Sequence, residues 1–94
     1  MILTLEEARD TLRVDGTDND HIITPLVESI PTYLENATGN TWLPTAGEPI
    51  EPLAKTAARF LLLLWYNAEQ AEAERLQRTI DNLLTSLAVM RKDK

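Results

Sequence analysis

The stretch "DGTDND", Asp15 to Asp20, places three acids within six residues, a density at which carboxylate oxygens can surround a hard cation. A calcium loop of the EF-hand kind needs oxygen ligands at alternate positions, a glycine at the sixth and a glutamate at the twelfth. Counting from Asp15 puts Asp20 and Leu26 there, and counting from Asp18 puts Ile23 and Ser29. Neither frame fits, so the acids read as a turn and a helix N-cap, with Asp18 and Asp20 favoured by the helix dipole. His21 is the one histidine and cysteine is absent, so a metal site or a triad would have to be built from carboxylates and one imidazole. Gly16, Gly39 and Gly47 stand in isolation, which excludes a glycine-rich phosphate loop. Glu69, Glu72 and Glu74 follow an apolar run with nothing to desolvate them against each other as an acid/base pair, and they read as a solvated face. The expectation is a protein without catalysis, metal or cofactor.

The elements around these residues are helical. Thr4 with Glu7 three residues on is a capping box, and Leu5, Ala8 and Leu12 form an apolar stripe, which predicts a helix over 5–12 with Val14 packing after it. From Asp20 the positions Ile23, Leu26, Val27, Ile30, Leu34 and Ala37 keep a helical period up to Gly39, a good residue for a left-handed helix end. Pro25 fits this helix only in its first turn, while Pro31 lies inside the pattern and predicts a bend or split near Ile30. Residues 40–51, with Pro44, Gly47 and Pro49 and no period, read as a long loop. Trp42 and Leu43 within it leave two readings open, a cap on the core or an anchor for a partner.

Pro52 suits the first turn of a third helix, over roughly 52–68. Lys55 and Arg59 mark a solvent stripe four residues apart, yet the stripe continues as Leu62, Leu63 and Tyr66 within the run "FLLLLWY". A helix apolar on every side is buried on every side. Either it is central, surrounded by the other helices, or part of its surface meets another subunit, with Leu62, Leu63, Tyr66 and Trp42 as candidate interface residues. A fourth helix over about 71–90 shows Leu76, Ile80, Leu83, Leu87 and Met90 at alternating spacings of four and three, with Leu84 beside them, and Glu74 and Arg78 as an i, i+4 ion pair. The whole is an all-α fold, one domain over 1–94: a small bundle of about four helices with a long loop between the second and third.

The composition limits the partners. Ninety-four residues suffice for one core but bury only about 60 to 65% of the unfolded chain's surface. A formal charge of −6, with nine dispersed Lys and Arg except for "RKDK" at 91–94, argues against a protein that grips phosphates. The opening "MILTLEEARD" carries acids where a signal peptide would be basic, and the run at Phe60 is far shorter than the about 20 residues that span a bilayer. Cytoplasmic synthesis and no membrane partner are the expectation.

Three segments in order, "LTLEEARDTLRVDGTDND", "ITPLVESIPTYLENATGN" and "IEPLAKTAARFLLLLWYN", resemble the gp6-like head-tail connector proteins of tailed bacteriophages, also called head completion or adaptor proteins. The resemblance covers Leu3 to Glu69 and rests on Leu12, Arg13, Val14 and Asp15, then Tyr33, Leu34, Glu35, Thr38 and Gly39, then Trp65 and Tyr66. The chain departs from the family pattern at Pro25 and Pro31, and after Tyr66, where it reads "NAEQAEAERLQ". The resemblance implies an all-α virion subunit that forms a ring, typically of twelve, below the portal protein after DNA packaging. It extends the channel through which double-stranded DNA passes as cargo, and offers a platform to the next head-tail joining or stopper protein. Leu62, Leu63 and Tyr66 would then be partly covered by a neighbouring subunit, and Arg91, Lys92 and Lys94 are candidates for contact with an acidic portal surface. The competing reading is a small helical regulatory module, monomer or dimer, that holds a peptide or partner helix with Trp42 and Trp65. A helix-turn-helix DNA binder is disfavoured by the charge and by the lack of a basic recognition helix.

Overall fold

A computed structural model describes residues 2–42, 50–67 and 69–90. Among these the regular structure is four helices: α1 (Leu5–Leu12), α2 (Asp20–Thr38), α3 (Pro52–Asn67) and α4 (Gln70–Met90). The middle of the α2–α3 connection, with Leu43, Pro44, Gly47 and Pro49, lies outside the described residues.

Local chemistry sets each boundary. The Thr4 hydroxyl accepts from the Glu7 N–H and the Glu7 carboxylate accepts from the Thr4 N–H, each at 3.0 Å, so the capping box that opens α1 is complete. Leu3, just before the cap, and Ala8 are both fully buried. They occupy the two positions of a hydrophobic staple, which fixes the entry of the chain and draws Ile2 and Leu3 into the core. α1 closes on Arg13 at φ 59°, with the Val14 N–H donating to the Arg9 carbonyl at 3.0 Å and the Arg13 N–H to the Asp10 carbonyl at 3.2 Å. That pair of bonds is the Schellman arrangement, in which a left-handed residue is usually glycine.

α2 ends on Gly39, at φ 79°, whose N–H donates to the Glu35 carbonyl. It starts at Asp20, which puts Pro25 beyond the first turn, and runs as one helix through Pro31 to Thr38, so of the bend or split read at Pro31 a split does not occur. Each proline removes one N–H, leaving the carbonyls of His21 and Val27 without their helical donors. Ile23, Val27, Ile30 and Leu34 are fully buried along one face, and this burial holds the helix together across both breaks because packing outweighs local propensity. α3 begins on Pro52 as expected, with the Glu51 carboxylate accepting from the Leu53 N–H.

α3 packs on α1, α2 and α4, and α2 likewise meets all three of the other helices. Ala54, Ala57, Ala58, Leu61 and Leu62 are buried along it, small residues letting neighbours approach and leucines filling the space. α4 contributes Ile80 and Leu87 to the core, with Leu76, Leu83 and Leu84 half-buried against it. Two ends of the predicted stripes fall outside: Ala37 and Met90 are exposed.

Candidate functional site

The candidate surface is the α3 stripe that begins with Lys55 and Arg59. Rather than facing solvent, both are half-buried beneath α1. Lys55 Nζ donates to Glu7 Oε2 at 2.7 Å and Arg59 Nη1 donates to the Thr11 hydroxyl at 2.8 Å, while Arg59 Nη2 stands 3.9 Å from the same Glu7 oxygen. One turn of α3 therefore matches one turn of α1. The Lys55 ammonium, then the Thr4 N–H, hold the Glu7 carboxyl below its ordinary value. On the other side of α1, Arg9 makes a two-pronged pair with Asp20, at 3.0 and 2.6 Å. The guanidinium lowers the Asp20 carboxyl pKa, and the carboxylate raises that of Arg9. Asp20 thus ties α1 to α2 as well as meeting the helix dipole. The N-cap position of α2 is Asn19, whose side chain makes no capping bond and instead donates to the Tyr66 hydroxyl at 3.0 Å.

α1 stops at Leu12, one turn short of covering Leu63, which lies on the stripe between Arg59 and Tyr66. Leu62 is fully buried, whereas Leu63 is half-buried and, unlike Leu61, Leu62 and Leu64, is not packed on the core cluster. Tyr66 is half-buried and hydrogen-bonded. Trp42, only 3% exposed, belongs to the core and donates from Nε1 to the Thr38 hydroxyl at 2.9 Å. The core-cap reading of Trp42 therefore holds, and both it and Leu62 are covered by the chain's own helices. Arg91, Lys92 and Lys94 lie outside the described residues.

The residues that carried the family resemblance are brought together as structure. Tyr33 on α2 and Trp65 on α3 meet edge to face, with ring centroids 5.5 Å apart and planes at 84°, a favoured aromatic geometry. Arg13 and Val14 form the α1 end described above. The Thr38 hydroxyl accepts from the Asn40 N–H and donates to the Leu34 carbonyl. Asn40 Nδ2 reaches the carbonyls of Leu87 and Ala88 at 3.5 Å each, linking the ends of α2 and α4; a glycine followed by asparagine was the only sequence signal for it.

No group of three or more His, Asp or Glu among the described residues is arranged to hold a metal. His21, Glu69, Glu72 and Glu74 are exposed, and the expected Glu74–Arg78 pair is not among the ion pairs of the described residues. No described helix is long and apolar enough to cross a membrane. Among the described residues, the exposed large apolar side chains lie at two places: Ile22, 46% exposed in the first turn of α2, and Val89 and Met90, 63% and 47% exposed at the end of α4.

Among the described residues, the ion pairs tie α1 to α2 and to α3, and no cluster is arranged for metal chemistry; such a helical scaffold is of the class of small structural subunits. The sequence model described as "Phage gp6-like head-tail connector protein" matches residues 2–92, and the chain belongs to that family. It is thereby a structural component of a phage particle. No curated protein and no solved structure matches it.

Proposed function

We propose that this chain is a ring-forming head-tail connector, without catalysis, that docks below the portal after DNA packaging. It extends the DNA channel and presents a platform to the next head-tail joining protein. The observation that carries this reading is the family match over 2–92. Leu63, with Tyr66 beside it, is the part of α3 offered to a neighbouring subunit. The buried Leu62, next to Leu63 on α3, belongs to the core behind that surface. A closed ring needs two different faces on every subunit, one meeting the other around the circle. The charge of −6 suits a channel wall that must leave the duplex free to slide.

The test is absolute mass in solution by light scattering over a wide concentration range, with and without portal protein, followed by imaging of the large species. Closed rings of about a dozen subunits support the connector. A dimer at every concentration, portal included, returns the chain to the regulatory-module reading.

A further inference from the structure

The two exposed apolar places lie at opposite ends of the molecule. The Asn19–Tyr66 bond joins the start of α2 to the end of α3, and the Asn40 bonds to Leu87 and Ala88 join the end of α2 to the end of α4. Between them runs α2, 19 residues and therefore about 28 Å. The two ends also differ in charge. Around Ile22, the turn between α1 and α2 exposes Asp15 and Asp18, and the last turns of α1 add Asp10. None of these three carboxylates takes part in an ion pair within the described residues. The exposed basic side chains in the same stretch of chain are Arg13 and His21; Asp20 is already occupied by Arg9. At the other end, Val89 and Met90 are followed in the chain by Arg91, Lys92, Asp93 and Lys94.

We propose that the Val89–Met90 end of α4, with Arg91 and Lys92 after it, docks on the acidic α1–α2 corner around Ile22 of the next copy of this chain. The occupant is a second copy because each end supplies what the other lacks: exposed Val89 and Met90, followed in the chain by Arg91 and Lys92, against exposed Ile22 in a stretch rich in carboxylates unpaired among the described residues. The contact joins unlike faces at opposite ends, so repetition carries the chain onward instead of closing it as a twofold dimer, as a ring requires. Leu63 sits on the same corner, one turn of α3 before the Asn19–Tyr66 bond, and would be covered by the arriving helix. The assignment places Arg91 and Lys92 against the neighbour instead of against the portal, and it rests on the ring reading above.

Cysteine cross-linking tests it cleanly, since the chain has no cysteine of its own. The Ile22→Cys/Val89→Cys double variant, oxidised under conditions in which the unmodified chain assembles, is expected to give a ladder of covalent multimers. Each single variant should give none. Charge reversal is the second arm: Asp15→Lys/Asp18→Lys and Arg91→Glu/Lys92→Glu should each lose the assembled species, and combining the four should restore it. Dimers from a single-cysteine variant would reveal a twofold contact and overturn the proposal. Rings that persist without a ladder and through both reversals overturn this pairing while leaving the ring itself intact. If Arg91→Glu/Lys92→Glu keeps its rings and loses only portal attachment, the basic segment belongs to the portal. A chain that never assembles, even with portal, removes the ring reading and this inference with it.

Discussion

Glu7 Oε2 accepts from Lys55 Nζ at 2.7 Å while Glu7 Oε1 accepts from the Thr4 N–H at 3.0 Å. One carboxylate thus starts α1 and fixes it along α3. Because α1 is only eight residues long, it would be marginal alone, and its place over Lys55 and Arg59 depends on this double use.

Thr4→Ala removes only the cap and should cost about 1 kcal/mol, a fall of roughly 5 °C in Tm for a chain of this size. Glu7→Ala removes the reciprocal capping bond and the bridge to α3 together, so its Tm should fall further. Thermal unfolding followed by circular dichroism ranks the two, and an equal or smaller loss for Glu7→Ala would show that the bridge contributes nothing.

Acid should weaken the fold through the same contacts. Glu7 and Asp20 have folded-state pKa values below their ordinary 4.5 and 3.8. The stability they add is therefore fully present above those ordinary values and is lost as pH falls through the lower folded ones. Tm measured from pH 7 down to 3 should decline below about pH 5, and the Glu7→Gln/Asp20→Asn variant, less stable at pH 7, should decline less steeply. Parallel curves would mean that other carboxylates carry the acid sensitivity.

Arg13 occupies a left-handed conformation, φ 59°, which costs an ordinary residue about 1–2 kcal/mol. Arg13→Gly relieves that cost but gives the unfolded chain more freedom, worth about 0.4–1 kcal/mol. The net should be a stabilisation of up to about 1.6 kcal/mol, seen as a raised urea midpoint. Arg13→Val should lower the midpoint, since β-branching makes this geometry worse.

Adjacent leucines on α3 should behave differently. Leu62→Ala empties a fully buried site and should cost about 2–5 kcal/mol. Leu63→Asp should leave helicity largely intact and abolish assembly, read by circular dichroism and light scattering on the same sample. Global unfolding of Leu63→Asp would place that side chain in the core.

Pro31→Ala restores a donor to the Val27 carbonyl inside α2. It should raise stability by about 1–3 kcal/mol, a helix-interior proline costing about 3 kcal/mol relative to alanine and part of this being offset by the stiffer unfolded chain. An unchanged or lowered urea midpoint would show that α2 has adapted its packing to the break.

The four helices were legible in the residues because their signals are local. Thr4 and Glu7, Gly39, and Pro52 mark ends through bonds or backbone angles spanning only a few residues. Ile23, Val27, Ile30 and Leu34 mark a face through a period of 3.6. The same reading missed the pairing of Lys55 and Arg59 with α1 and left Leu62 and Leu63 undivided. A period says which side chains share a face and not which element covers it. Glu7 meets Lys55 across 48 positions of chain and Asn19 meets Tyr66 across 47, separations at which no local rule operates.

The helical class, the helix ends and the family can thus be read from the residues alone. The tertiary structure decided that α1 covers the cationic half of α3 and stops one turn before Leu63, that Trp42 folds back onto Thr38, and that packing carries α2 through Pro31. Each of these depends on which surfaces compete to exclude water once the helices meet, and that competition is settled only among all of them together.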